Sequence, residues 1–306
     1  MLWILLAFLS AALLGFYDVF KKRALDSNAV IPVLLLNTLF SSLIFLPFIV
    51  CSHEGWIAPG SPLYCTDFHW AEQRYIIVKA CIVLASWLLA YFGIKHLPLT
   101  IVGPINATRP VMVLVGAMTL FAEHLNPWQW LGIIVALIGI ELLKHTSKKE
   151  GINWWRDKWI YFIILSNILG AISGLYDKYL MASPENGGVG LNKVAVQAWY
   201  NIYQLGMMLA MLLLLWMPTR KKTTPFHWTW SIPLVSLFLC LADFFYFYAL
   251  GMDGAMISIV SMVRRGSVIV SFLCGAMIFH EKNLKAKAFD LALVILSMLL
   301  LYIGSN

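Results

Sequence analysis

Residues 30–50 read VIPVLLLNTLFSSLIFLPFIV, a run of 21 residues without one charged side chain. About 20 consecutive apolar residues are the length of one helical crossing of a lipid bilayer. Similar runs recur along the 306 residues, of which 61% are hydrophobic and 12% charged, with a mean hydropathy of +0.80. Because a soluble domain needs a polar surface, this composition excludes a soluble enzyme, a nucleic-acid module and a disordered chain.

The apolar runs predict an all-α membrane protein with ten transmembrane helices. We place these helices at 2–24, 30–50, 74–94, 98–121, 127–145, 159–182, 193–217, 230–251, 254–279 and 284–304. The runs are continuous and about twice as long as the alternating strands of a membrane β-barrel, so helices are favoured. Two connections are long: 51–73, and the basic stretch 146–158.

Basic residues concentrate on alternate connections. Fifteen of the 22 Lys and Arg residues lie on odd-numbered connections, namely Lys21, Lys22, Arg23, Lys95, Lys144, Lys148, Lys149, Arg156, Lys158, Arg220, Lys221, Lys222, Lys282, Lys285 and Lys287. The positive-inside rule therefore predicts that these connections are cytoplasmic and that both termini lie outside. The connection 51–73 would then also lie outside. An oxidising space there would allow a Cys51–Cys65 disulfide, which the sequence leaves open.

Two short matches at one offset indicate an internal repeat. GFYD at 15–18 returns as GLYD at 174–177, and GAM at 116–118 returns at 275–277, both 159 residues later. A unit of five helices is odd, so the second copy would enter the membrane inverted, as in many secondary transporters with a midplane site. The predicted organisation is a first five-helix repeat at 1–145, a cytoplasmic linker at 146–158 and a second, inverted five-helix repeat at 159–306.

The segment EHLNPWQWLG at 123–132, followed by an apolar helix with Gly139, resembles the end of an EamA domain. The likeness covers nearly the whole chain and implies a transporter of the drug/metabolite transporter superfamily, built as two inverted five-helix repeats. The second copy has Glu281 near the equivalent of Glu123 but lacks the Gln-Trp-x-Gly that follows it. EamA proteins usually have both termini inside, so the charge pattern here departs from the family.

Three arginines fall near the middle of predicted spans: Arg109, Arg264 and Arg265. A charge at the bilayer centre costs at least about 2.5–3.5 kcal/mol, which makes each a candidate for function. Their planar guanidinium groups suit a carboxylate or phosphate, although pairing with deep acids is equally open. The stretch VRRGSVIVS at 263–271 weakly resembles the phosphate-binding basic pair of sugar-phosphate translocators. Adjacent helical residues point about 100° apart, so we expect one of the pair to face a cavity and the other a neighbour.

Two deep acids, Asp243 and Asp177, are candidates for proton coupling. Asp243 lies among aromatic residues, where a coupling proton and a salt bridge to an arginine are both open. Asp18 is predicted to pair with Lys22, one helical turn away. Lys79 lies about one turn from a helix end and is expected to extend towards the membrane surface.

Four aromatic residues are predicted to line a substrate cavity. Tyr17 and Tyr176 belong to the repeated motif, Trp87 lies in the third span, and Tyr203 belongs to a polar and aromatic stripe in the seventh. Side chains of this kind line ligand sites, but they also bond helices to one another in membrane bundles. The sequence leaves both roles open.

These features predict a secondary active transporter that moves a small anionic or zwitterionic metabolite by alternating access. The alternative is a proton-coupled exporter of cationic or lipophilic compounds. A membrane enzyme or a sensor is disfavoured, because no catalytic, metal-binding or nucleotide-binding motif occurs. No cofactor, metal or nucleic-acid partner is predicted. The predicted surroundings are the lipid bilayer of a bacterial inner membrane, with a homodimer left open.

Overall fold

The computed structural model describes residues 2–112, 126–148, 154, 156–181, 184, 188–250, 260, 263–279 and 284–305. In these ranges every regular element is helical and no strand occurs. The helices are α1 (Leu2–Leu25), α2 (Val30–His53), α3 (Trp70–His96), α4 (Leu99–Ala107), α5 (Pro127–Lys148), α6 (Lys158–Met181), α7 (Lys193–Thr219), α8 (Ser231–Leu250), α9 (Ser267–Ile278) and α10 (Leu284–Ser305). Within α7, Leu212–Trp216 forms a π-helical turn.

Seven helices in the described ranges are long and apolar enough to cross a membrane: α1, α2, α3, α6, α7, α8 and α10. Many of their apolar side chains point outwards; Leu5 and Leu214, for example, are 65% and 74% exposed. The chain is therefore a multi-pass integral membrane protein. Ten spans in two inverted repeats, and the boundaries given for those repeats, remain predictions. Residues 116–118, Glu123 and Glu281 lie outside the described ranges.

The predicted helix 98–121 is interrupted where the structure describes it. Helix α4 ends at Ala107, Thr108 forms a turn, and residues 109–112 are helical again. Pro110 explains the interruption, because it lacks the N–H that would donate to the carbonyl of residue 106, and its ring clashes with that carbonyl. The expectation of one continuous helix was wrong here.

The predicted helix 254–279 is also interrupted in its described part. Residues 263–265 are helical, Gly266 forms a turn, and α9 begins at the next residue. The Gly266 N–H donates to the Val263 carbonyl over 2.9 Å. A Cβ atom at Gly266 would lie 2.9 Å from that same oxygen, so a larger residue would force the turn to move. Both breaks lie next to the deep arginines.

The helices pack most extensively in four pairs: α1 with α8, α5 with α10, α3 with α6, and α2 with α7. Smaller interfaces join α1 to α9, α2 to α8 and α4 to α9. Close approach in this core depends on glycine at two positions. A Cβ atom at Gly15 in α1 would lie 2.5 Å from Cβ of Val270 in α9. A Cβ atom at Gly93 in α3 would lie 2.6 Å from Cγ1 of Ile163 in α6. Such contacts let helix backbones approach closely in membrane proteins.

The connection between α2 and α3 carries two free cysteines, Cys51 and Cys65, so the structure does not show the disulfide left open above. Cys65 is buried, and its backbone N–H donates to Ser52 Oγ over 3.0 Å. Burial, and secondarily the charge of Asp67, raises the pKa of the Cys65 thiol to about 12. The thiol is therefore held in its neutral form.

Candidate functional site

A cavity of about 200 Å³ lies among α1, α3, α4, α6, α7, α8 and the residues around the start of α9. Its walls are unusually polar for the interior of a membrane protein. The charged residues that line it are Asp18, Lys21, Lys79, Arg109, Asp177, Asp243, Arg264 and Arg265. Ionisable side chains within a membrane bundle mark functional sites by default, because their burial is costly.

Three ion pairs neutralise the acids of the cavity. In α1, Lys21 Nζ lies 2.7 Å from Asp18 Oδ1, whereas the predicted partner Lys22 donates instead to the carbonyls of Ile94 and Leu97. The Lys22–Asp18 prediction was therefore wrong. A side chain at i+3 reaches the same helix face as one at i+4, so either lysine was available to Asp18 by spacing alone.

The second ion pair joins Lys79 of α3 to Asp177 of α6. The Lys79 side chain is only 3% exposed, so the expectation that it extends to the membrane surface was wrong. Its Nζ also lies 5.1 Å from the ring centre of Tyr200 in α7. A nearby carboxylate and an aromatic ring both stabilise an ammonium group where water is scarce.

The third ion pair joins Arg264 to Asp243 of α8. The guanidinium carbon of Arg264 lies 4.2 Å from the ring centre of Tyr246, and the Tyr200 hydroxyl donates to Asp243 Oδ2 over 3.4 Å. Arg264 and Asp243 are 14% and 12% exposed. This arrangement shows the salt-bridge alternative for Asp243, while its role in proton coupling stays a prediction.

Two arginines remain without a carboxylate partner among the described residues, Arg109 and Arg265. Arg109 donates from Nε and Nη2 to Asn167 Oδ1 of α6, over 3.2 and 3.0 Å. Arg265 has no hydrogen bond or ion pair with any part of the chain that the structure describes. Ser267, the first residue of α9, lines the cavity close by, and a helix N-terminus carries partial positive charge.

The described cavity wall therefore holds five basic and three acidic residues. Because each acid has its own basic partner, the excess of two positive charges is concentrated on Arg109 and Arg265. Guanidinium groups stay charged and bind carboxylate or phosphate through two parallel hydrogen bonds. This geometry can bind an anion.

The structure brings two of the four predicted aromatic residues to the cavity. Tyr17 and Trp87 line it, and the Tyr17 ring centre lies 4.1 Å from Lys21 Nζ. Tyr176 and Tyr203 do not line it. The Tyr176 hydroxyl donates to the Tyr75 carbonyl over 3.2 Å, and the Tyr203 hydroxyl donates to Gln73 Oε1 over 3.0 Å. Both bond helix α3 to its neighbours.

Sequence reasoning identified Asp177 on the α6 face of the cavity but missed most of that face. The face consists of small and polar residues one helical turn apart, namely Ser166, Gly170, Ser173, Gly174 and Asp177. Their spacing of three to four residues is the signal that would have found them. Asn167, one residue beyond Ser166, was missed because its role depends on contact with Arg109.

Comparisons with known proteins agree with this architecture. The model of the EamA-like transporter family matches residues 1–144. The probable 4-amino-4-deoxy-L-arabinose-phosphoundecaprenol flippase subunit ArnE of Aeromonas hydrophila subsp. hydrophila is 30% identical over 77 residues, which are 24% of this chain and 68% of that protein. The chain belongs to the EamA-like transporter family. This membership places it among membrane transporters and agrees with its apolar helices.

A solved crystal structure shares the fold of this EamA-type chain. It covers 99% of the chain and 97% of its own length, with a TM-score of 0.61 and 15% sequence identity. An identity this low shows a common fold and carries no information about substrate.

Proposed function

We propose that this EamA-type protein is a secondary active transporter that moves a small organic anion, or a zwitterion bound through its anionic group, by alternating access. The observation that carries the proposal is the pair of arginines in the central cavity, Arg109 and Arg265, which form no ion pair with a carboxylate in the described structure. An anion that binds both would neutralise the two excess charges. A cation would first have to displace a lysine or arginine from an acid.

Two features support the proposed construction from inverted repeats. The helix breaks at Thr108 and Gly266 are 158 residues apart, close to the 159-residue offset of the sequence matches. The helix pairs are also related by a shift of five, since α1 with α8 corresponds to α6 with α3. Broken helices at a midplane site are typical of transporters built from inverted repeats, and their half-helix ends bind charged groups.

The similar flippase subunit supports an anionic substrate. Its name specifies a substrate that contains a phosphate link, and phosphate groups carry negative charge. The chains of that relative and of this protein share only 77 matched residues, so we propose the charge type and no specific compound. A bacterial inner membrane is the proposed location.

Proton coupling through Asp243 or Asp177 is the remaining part of the proposal. Each of these acids lies in the cavity and binds a basic partner, Arg264 and Lys79 respectively. An anion that draws the basic partner away would favour protonation of the acid that is left behind, because an unpaired carboxylate is costly within a membrane. Substrate and proton binding would then be linked. Asp243→Asn should leave substrate exchange intact and remove the response of uptake to a pH gradient.

Flux into sealed proteoliposomes tests the anion proposal. Purified protein is supplied in parallel with radiolabelled mixtures of organic anions, zwitterions and cations. We expect uptake of anions or zwitterions, and its loss in Arg109→Gln and Arg265→Gln. Arg74→Gln is the matched control, since Arg74 is exposed and lies outside the cavity. Uptake of cations alone, or full anion uptake by both cavity variants, would contradict the proposal.

A further inference from the structure

The guanidinium of Arg109 contacts two residues of α6, Asn167 and Gly170. Asn167 is fully buried, and its Oδ1 accepts hydrogen bonds from Arg109 Nε and Nη2. The same side chain donates from Nδ2 to the Ile105 carbonyl in α4 over 3.2 Å. Its carboxamide is therefore fixed at both ends, and its orientation is determined. Within the described structure, Asn167 is the hydrogen-bond acceptor that holds Arg109.

Gly170, one helical turn along α6, supplies the space for the guanidinium. A Cβ atom at Gly170 would lie 2.6 Å from Nη1 and 2.7 Å from Nη2 of Arg109. Real Cβ atoms do not approach nitrogen so closely, so any side chain at this position would push the guanidinium away. Because an arginine head is flexible, the head would move and the helix would stay in place.

We infer that Asn167 and Gly170 are positioning residues for the substrate, which they affect only through Arg109. This inference rests on the proposed function, because it assigns these residues to the orientation of an anion-binding arginine. Among the described residues a single acceptor, Asn167 Oδ1, binds Nε and Nη2, so Nη1 and the second hydrogen of Nη2 can donate to an anion in the cavity. Asn is suited to this role because its carbonyl fixes the arginine without neutralising it. A carboxylate at the same position would compete with the substrate.

Gly174 provides a matched control for Gly170. Both glycines lie on α6 and line the same cavity, but a Cβ atom at Gly174 would meet no atom within 4 Å. Alanine at either position raises helix propensity equally. A difference between Gly170→Ala and Gly174→Ala therefore reports contact with Arg109 and excludes a general effect on the helix or on cavity volume.

The first arm of the test needs no ligand. Midpoints of thermal unfolding are measured in detergent for Asn167→Ala, Arg109→Gln and the double variant. If Asn167 holds Arg109, the midpoint of the double variant should fall by less than the sum of the two single decreases, because each single variant already removes the same hydrogen bonds. The bond from Asn167 to Ile105 cancels in this cycle. Additive losses would overturn the inference.

The second arm measures anion binding with inorganic phosphate and with succinate as probes, through protection against thermal unfolding. We expect Gly170→Ala and Asn167→Ala to raise the half-saturating concentration about tenfold, which is the typical effect of a misplaced charge-assisted hydrogen bond. Gly174→Ala should raise it by less than Gly170→Ala does, because a Cβ atom there meets no atom of Arg109. In the Arg109→Gln background, Gly170→Ala should have no further effect.

The outcomes separate the two proposals. Equal binding by Gly170→Ala and Gly174→Ala, in a protein whose binding depends on Arg109, overturns the positioning role. A wild-type protein that neither anion protects contradicts the proposed function for these anions, while the unfolding cycle still decides whether Asn167 holds Arg109. Asn167→Asp adds a further check. It should abolish anion binding, because the carboxylate pairs with Arg109, although it can no longer donate to the Ile105 carbonyl.

Discussion

Replacement of the adjacent arginines Arg264 and Arg265 by glutamine should affect the stability of the protein differently. Arg264→Gln removes the ion-pair partner of Asp243 and leaves that carboxylate buried. Arg265→Gln removes a charge that has no carboxylate partner in the described structure. The two substitutions are identical in size and chemistry and lie one residue apart. The difference between their effects on stability therefore reports which arginine is paired with Asp243.

The magnitude follows from burial. Arg264 and Asp243 are only 14% and 12% exposed, so the pair is largely shielded from water, and removal of one partner of a buried pair costs about 3–5 kcal/mol. The Tyr200 hydroxyl, 3.4 Å from Asp243 Oδ2, still donates to the carboxylate, which favours the lower end, about 3 kcal/mol. At roughly 2 °C per kcal/mol, the unfolding midpoint should fall by about 6 °C.

Thermal unfolding in detergent measures both variants. We expect Arg265→Gln to change stability by at most about 0.5 kcal/mol or to raise it, because it relieves repulsion among like charges. The double variant Arg264→Gln with Asp243→Asn should recover most of the loss, since no uncompensated charge remains. If Arg265→Gln is as damaging as Arg264→Gln, or if the double variant shows the sum of both losses, the pairing described above is wrong.

Three further predictions concern packing, cysteine chemistry and orientation. Gly93→Ala should lower stability by about 1–3 kcal/mol, because the new Cβ atom overlaps Ile163. Gly206→Ala should raise stability by about 0.5–1 kcal/mol, because a Cβ atom there meets no atom within 4 Å. Denaturation in detergent compares the two variants. Cys65 should resist maleimide at pH 7 and react faster as the pH rises towards its pKa of about 12, which mass spectrometry follows; rapid labelling at pH 7 would contradict its burial. A reporter fused after Asn306 should be active outside the cytoplasm, and cytoplasmic activity would refute the charge-based orientation.

Hydropathy determined the class of the protein and most of its helices. The predicted spans 2–24 and 284–304 correspond to α1 and α10, each with its last residue shifted by one. This agreement has a physical reason. A membrane-spanning helix satisfies its own backbone hydrogen bonds and is selected by the apolar character of its own residues, so the information is local. A short continuous motif, residues 123–132, likewise indicated the family.

The interruptions of α4 and of the helix before α9 were less accessible to sequence reasoning. Hydropathy averages over about 20 residues and does not detect a turn of one residue. Pro110 was a local signal for the first break, whereas Gly266 was weak, since glycine is common inside transmembrane helices. The turn at Gly266 depends on the close approach of the Val263 carbonyl, which only coordinates show.

Charge pairing between helices was decided by tertiary structure alone. Apart from Lys21 and Asp18, which are neighbours in α1, the deep acids and bases pair across different helices, so the sequence specifies their number but not their partners. Asp177 pairs with Lys79, 98 residues away, and Asp243 pairs with Arg264 and not with Arg265. The choice between two adjacent arginines depends on helix rotation and on the packing of α8, for which no local pattern exists. The sequence thus specified that arginines lie in the membrane, and the packing of helices decided which of them face the cavity without a carboxylate.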